Sequence, residues 1–407
     1  MRPRSQAERA IACADSKSAA AGFDSEDAFI VETSVAGRER QQSQDFAREV
    51  KARVNDYFER NGLSRHANAA MITKTVILVV LYFGSYGLIV SGLLPLPWMW
   101  LLCFVMGVAM AGIGFSVTHD ALHGAYSASP RVNRLIGYFF DTLGANGYIW
   151  KITHNGIHHT YTNIRGYDED LEVSPLIRLS PHTPYKPIHK FQHIFAFLAY
   201  SMATVFWVFV KDYKYFFQND LGPYRNKKHP RSEWISLFVS KALYYVVMIV
   251  VPLLVLDITW WQFLIGFLTL HLTAGLILGV VFQLAHVVEP TEHLQEDEAK
   301  SLKGAWMLYQ MRTTSNFARE NRLLSWYIGG LNYQIEHHLF PRVCHVHYRN
   351  LSPIVEGLAA KHGVPYNSCP TLWDAIRSHY RMLKQFGDPS YEPSAGNDIA
   401  QAAAAGR

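Results

Sequence analysis

Charge is missing from this sequence over two long stretches. No Asp, Glu, Lys or Arg occurs from Thr75 to Thr118, and from Ala242 to Val288 only Asp257 interrupts. Each run is about twice the roughly 20 apolar residues that cross a bilayer as a helix. Buried helices of soluble proteins rarely reach that length without a charge. Pro95 and Pro97 in LLPLPW break the first run, and DITW at Asp257–Trp260 breaks the second. The expectation is an integral membrane protein with four helical spans in two hairpins, at 73–93, 97–118, 237–256 and 260–284.

Paired cysteines are missing as well. Cys13, Cys103, Cys344 and Cys369 form no CxxC, and Cys103 lies inside an expected span, so neither a disulfide framework nor an iron–sulfur site is visible. The first 40 residues carry no apolar core of a signal peptide, and none is expected. HExxH, the usual mark of a zinc hydrolase, is absent. There is no internal repeat. The net charge of +5 fits basic loops lying against an anionic leaflet and calls for no nucleic acid.

A further apolar stretch, 191–210, tests the topology. If it crossed, the segment with Lys211, Lys214, Arg225, Lys227, Lys228 and Arg231 would lie outside, against the tendency of Lys and Arg to stay cytoplasmic. It is therefore placed as an interfacial or half-inserted helix, with both termini and all long loops in the cytoplasm. Residues 1–44 and 389–407 read as disordered tails around one membrane domain, 45–388. Within it, Phe46, Val50, Val54 and Phe58 recur at helical spacing and predict an amphipathic surface helix over Asp45–Leu63.

What the chain has in excess is clustered histidine. HDALH places His119 and His123 four apart, on one face of a helix. HNGIHH repeats the spacing with His154 and His158, and on an α-helix His159 lies about 100° further round. NYQIEHH adds Gln334, His337 and His338, and His286 ends the last span in FQLAH. An imidazole at membrane depth is functional by default. The eight histidines and the glutamine all fall on one side of the membrane in this topology. One zinc closes with four ligands, so eight or nine donors imply two ions, or one ion and many spectators. Imidazole alone does not choose the metal, but two irons with open positions for dioxygen fit best. Asp120 and Glu336 are candidates to orient the imidazoles.

HDALH, HNGIHH and QIEHH, in that order around two hairpins, resemble the three histidine boxes of the membrane-bound fatty acid desaturases. The glutamine-led third box resembles the front-end and linoleoyl-CoA-type branch. TTSNFA, FQLAH and FPRVCHVHY are further family-like stretches, and the likeness spans roughly Asp45 to Phe386. It implies an all-α integral membrane protein whose four spans carry a cytoplasmic helical cap around a di-iron site. It implies His119, His123, His154, His158, His159, His286, His337 and His338 as ligands, with Gln334 at a position where many relatives have His. The implied reaction is an oxygen-dependent insertion of a cis double bond into an acyl-CoA or membrane-lipid chain, of Δ6 or front-end type. Hydroxylation on the same scaffold is the alternative, a zinc hydrolase a remoter one, and a metal-binding receptor the non-enzymatic one.

Residues 1–71 hold one histidine, His66, whereas a bis-histidine heme needs two, so no fused cytochrome b5 is expected. Electrons then come from a separate protein, a ferredoxin, cytochrome b5 or reductase. His345 and His347 are read as cap residues that pack structurally, in preference to touching the groups around the site. GYDED at 166–170 is read as a solvated acidic loop. Trp150 and Tyr161 are candidates for the wall of an acyl tunnel. The location fits a bacterial inner membrane.

Overall fold

In a computed structural model the described residues are 25–171, 174–295 and 305–391. They are mostly helical. Among the described residues strand pairing is confined to short pieces, chiefly Asn316–Phe317 with Ser368–Cys369 in parallel, Asn316 opposite Ser368.

Among the described residues four helices are long and apolar enough to cross a membrane: Ala69–Val90, Leu96–Leu122, Arg231–Val255 and Trp260–His286. They are the four expected spans, and the shifts at their ends have local causes. Asn68 caps the first span by accepting from the Met71 N–H, satisfying a donor that has no partner within the helix. The second span reaches Leu122 because a π-helical segment, Ile113–Thr118, carries it unbroken into HDALH. Thr259 and Gln262 cap the fourth span reciprocally.

The second and fourth spans pack most extensively, with the first span laid on the second. Met106, Met110, Leu270 and Ala274 form their shared core together with Leu78 and Tyr82. Val76, Val80 and Leu88 on the first span, and Val239, Leu243 and Leu254 on the third, face outward. Such surfaces suit hydrocarbon, since each helix satisfies its own backbone polar groups.

The 191–210 stretch is broken. Pro187–Ser201 and Ala203–Phe217 meet at a bend of 59°, and they make a fifth span only if counted as one. The bend suits a segment that enters part-way and turns.

The cap is built on the amphipathic helix, which runs from Ser25 to Arg60. It takes in residues 25–44 of the expected tail, a stretch with no proline and a single glycine. Phe46, Val50, Val54 and Phe58 are all buried, against Leu339, Leu351 and Val355 among others. Residues 1–24 and 392–407 lie outside the described residues.

Candidate metal centre

The second box is a π-helix, Lys151–His158, not an α-helix. Its i→i+5 bonding is seen where the His159 N–H reaches the His154 carbonyl. This changes which imidazoles meet. The α-helical spacing paired His154 with His158 on one ion; those two rings do stack, at 5.1 Å. The wider turn instead brings His159 Nε2 to 3.2 Å from His154 Nε2, and His154 and His158 go to different groups.

Donor atoms of His119, His123, His154 and His337 lie within 4.8 Å of one another, as do those of His158, His286 and His338. His159 forms a third such set with His337 and His338, linking the two groups. All eight rings are buried. Gln334 falls at the second group, its amide nitrogen 3.0 Å from His286 Nε2 and 3.4 Å from His338 Nε2. An amide has a donor and an acceptor end, so a half-turn presents its oxygen at the same place. The boxes reach each other through tight backbone contacts. Gly329 has φ +63° and lies against the Phe115 carbonyl, where a Cβ would sit 2.4 Å from the oxygen. Only glycine takes that turn without strain.

Most of the groups that hold these rings are invisible in the motifs. His158 Nδ1 is 3.0 Å from Asp168 Oδ2, His338 Nδ1 2.7 Å from Gln310 Oε1, and His337 Nδ1 3.2 Å from the Tyr348 hydroxyl. His286 Nδ1 meets the Thr313 carbonyl at 3.4 Å. With Nδ1–H directed outward, Nε2 is the lone-pair nitrogen that faces inward. Asp168 also accepts the Asn163 N–H, and Asn163 (φ 58°) sends its amide to the carbonyls of His286, Glu292 and Thr313. The acidic loop is therefore not simply solvated: Asp168 is 1% exposed, because it is the partner of His158. His345 is corrected too. Its Nδ1 is 2.8 Å from Asp120 Oδ2, while Asp120 Oδ1 lies 3.8 Å from His119 Nδ1. Glu336 turns away from the rings to Asn316 and Tyr366, and His347 packs on Phe58.

The donor set suits metal. His119 Nδ1, His123 Nε2, His158 Nε2, His159 Nδ1 and His337 Nε2 are buried without a hydrogen-bond partner. So many unpaired imidazole nitrogens in one place would be costly unless a cation took their lone pairs.

A family profile described as fatty acid desaturase matches residues 52–370. The chain belongs to the fatty acid desaturase family. It is 35% identical over 86% of its length to the sn-1 linoleoyl-lipid 6-desaturase of Synechocystis, covering 97% of that protein. It is 36% identical over 84% of its length to the enzyme of the same description from Arthrospira platensis, covering 92% of it. An acyl-lipid (8-3)-desaturase from Physcomitrium patens is 33% identical over 85% of the chain and is covered over 72%. The protein is thus a fatty acid desaturase, an oxidoreductase of acyl chains.

In the desaturase, burial first and neighbouring imidazoles second hold His123, His154, His159, His337 and His338 well below the usual histidine range. They are neutral at pH 7, as ligands must be. In His158 burial opposes the charged form, but the Asp168 carboxylate overrides it and the pKa is raised.

Beside the rings lies a cavity of about 530 Å³, within the roughly 300–1,000 Å³ typical of ligand pockets. His119, His154 and Gln334 line it, with Phe115, Trp150 and Phe282. Trp150 takes the expected wall position and stacks on His154 at 4.3 Å, whereas Tyr161 packs on Tyr167 and is not in the lining. Asp170 and Lys211, paired at 3.2 Å, line it on the side of the exposed Lys214.

Proposed function

We propose that this desaturase is an oxygen-dependent acyl-lipid enzyme of the front-end kind, holding two irons and placing a cis double bond near carbon 6 of a linoleoyl-type chain. The observation that carries it is the division of eight buried imidazoles into two adjoining groups beside an apolar cavity, whose wall His119 and His154 reach. His119, His123, His154 and His337 would hold one ion. His158, His286 and His338 would hold the other, with Gln334 Oε1 as a further donor and His159 between the two. The lipid carrier and the position are drawn from what the cyanobacterial relatives are described as doing.

Methylene C–H bonds give acids and bases nothing to grip, so iron with dioxygen supplies the oxidising power when bound. The chain's own residues do the rest. The cavity takes the acyl chain out of water and lays one segment of it against His119, His154 and Gln334. Methylenes differ in little but position, so selectivity comes from orientation, which can supply about 7 kcal/mol of a barrier or more. Asp168, Gln310 and Tyr348 keep the imidazoles in the tautomer that faces inward. Electrons come from a separate carrier protein. The site faces the cytoplasm, and in a bacterial host the protein sits in the inner membrane.

The test is the fatty-acid profile of a host supplied with linoleate and an electron donor, expressing the chain or its His158→Ala variant. A new cis double bond, located by mass spectrometry of picolinyl derivatives and lost in the variant, supports the reading. A hydroxy acid in its place would transfer the assignment to the hydroxylase alternative.

A further inference from the structure

One fully buried histidine has no part in the metal centre. His271 sits within the fourth span, about 16 Å along the helix from Phe282 at 1.5 Å per residue. Neutral imidazole needs one acceptor and one donor, and it has both. The Tyr244 hydroxyl donates to Nε2 at 2.7 Å, and Nδ1–H donates to Thr204 Oγ1 at 3.2 Å. The Thr204 hydroxyl proton goes in turn to the His271 carbonyl at 2.7 Å. Every proton in the cluster has one place to go, so the third span, the fourth span and the 203–217 helix are tied at one level.

What lies on either side gives the cluster a role. Thr204 and Gly144 line the 530 Å³ cavity, and a methyl added at Gly144 would come within 2.9 Å of the Tyr244 ring. On the other side lies a second apolar cavity of about 420 Å³, lined by Met106, Met248, Phe267 and Leu270. The Phe267 ring stands 4.4 Å from His271, and Met248 follows Tyr244 by one turn. Tyr244 and His271 line neither cavity themselves; they stand between Gly144 and Thr204 of the first lining and Met248, Phe267 and Leu270 of the second, as a partition behind both.

We propose that this Tyr244–His271 partition is the floor of the acyl cavity and limits how much chain extends beyond the reacting carbons toward the methyl end. The inference rests on the desaturase reading above. A longer chain must displace a ring hydrogen-bonded on its far side, while a shorter one leaves space unfilled. A single methylene against a fitted apolar wall is worth about 10-fold or more in discrimination.

The full-length protein and a Tyr244→Ala/His271→Leu double variant would be expressed in a host fed fatty acids lengthened two carbons at a time. We expect the wild type to convert acids up to a limit. The double variant should convert the next member about tenfold better relative to the preferred one. Val208→Met, which adds bulk beside Gly144 and Tyr244, should move the limit the other way. Thermal stabilisation of the purified proteins by the same acids reads the limit without turnover, and should show the same order. An unchanged limit in both variants, by products and by stabilisation, overturns the floor. If the wild type, supplied with an electron donor, makes no double bond while the stabilisation limit still moves, the front-end acyl-lipid reading falls and the floor stands.

Discussion

Asp168 shows how much one carboxylate decides. It is buried, it accepts from His158 Nδ1 and from the Asn163 N–H, and so it sets both a ring and a loop. Replacing it by Asn, whose amide has a donor as well as an acceptor, should lower iron affinity or turnover by about 10–100-fold, the usual cost of losing a partner that orients a ligand. Iron content per protein against desaturation rate would check it; unchanged iron content would make Asp168 structural only. Gln334→His should keep product formation, since an imidazole can offer a lone pair where the amide stands beside His286 and His338. The histidines were legible because a cluster of unpaired imidazoles has few uses. Asp168, Gln310 and Tyr348 were not, because a single Asp, Gln or Tyr far along the chain has no spacing that betrays it.

At the scale of elements, the winding of two helices matters most. The π turns at Ile113–Thr118 and Lys151–His158 place the first two boxes, and no motif read at 3.6 residues per turn reveals them. The third box depends on the Gly329 turn against Phe115. Gly329→Ala should cost about 1–3 kcal/mol from backbone conformation alone, and more from the contact. Lower thermal stability in detergent together with reduced iron loading is the expected outcome; normal loading would mean the first and third boxes meet by other contacts. The amphipathic helix behaves as its periodicity predicts, because burial of one face needs only spacing.

For the whole molecule, the arrangement of spans makes two further predictions. Leu93→Cys, in the exposed turn between the first two spans, should react with a membrane-impermeant maleimide in intact cells. Lys384→Cys should react only after lysis, and the reverse pattern would invert the topology. The second prediction concerns pH. Burial, aided by repulsion from Asp212, pushes the Asp141 carboxyl up to about 7 from an ordinary 3.8. A raised carboxyl stabilises the fold while protonated, so its contribution is whole below the ordinary value and fades as pH rises through 7. Thermal stability should therefore fall over that range, and Asp141→Asn should flatten the fall.

Span number, the two hairpins and the identity of the candidate ligands were determined by the sequence alone. Each follows from a local rule: hydrocarbon thickness sets the length of an uncharged run, and imidazole chemistry makes clustered histidines conspicuous. The tertiary structure decided which rings share a group, which distant side chains hold their tautomers, and which residues line the cavity beside them. Those depend on helical winding and on contacts between residues far apart in the chain, such as Asn163 with Thr313 or Thr204 with His271. Only packing brings such pairs together, and spacing along the chain carries no trace of it.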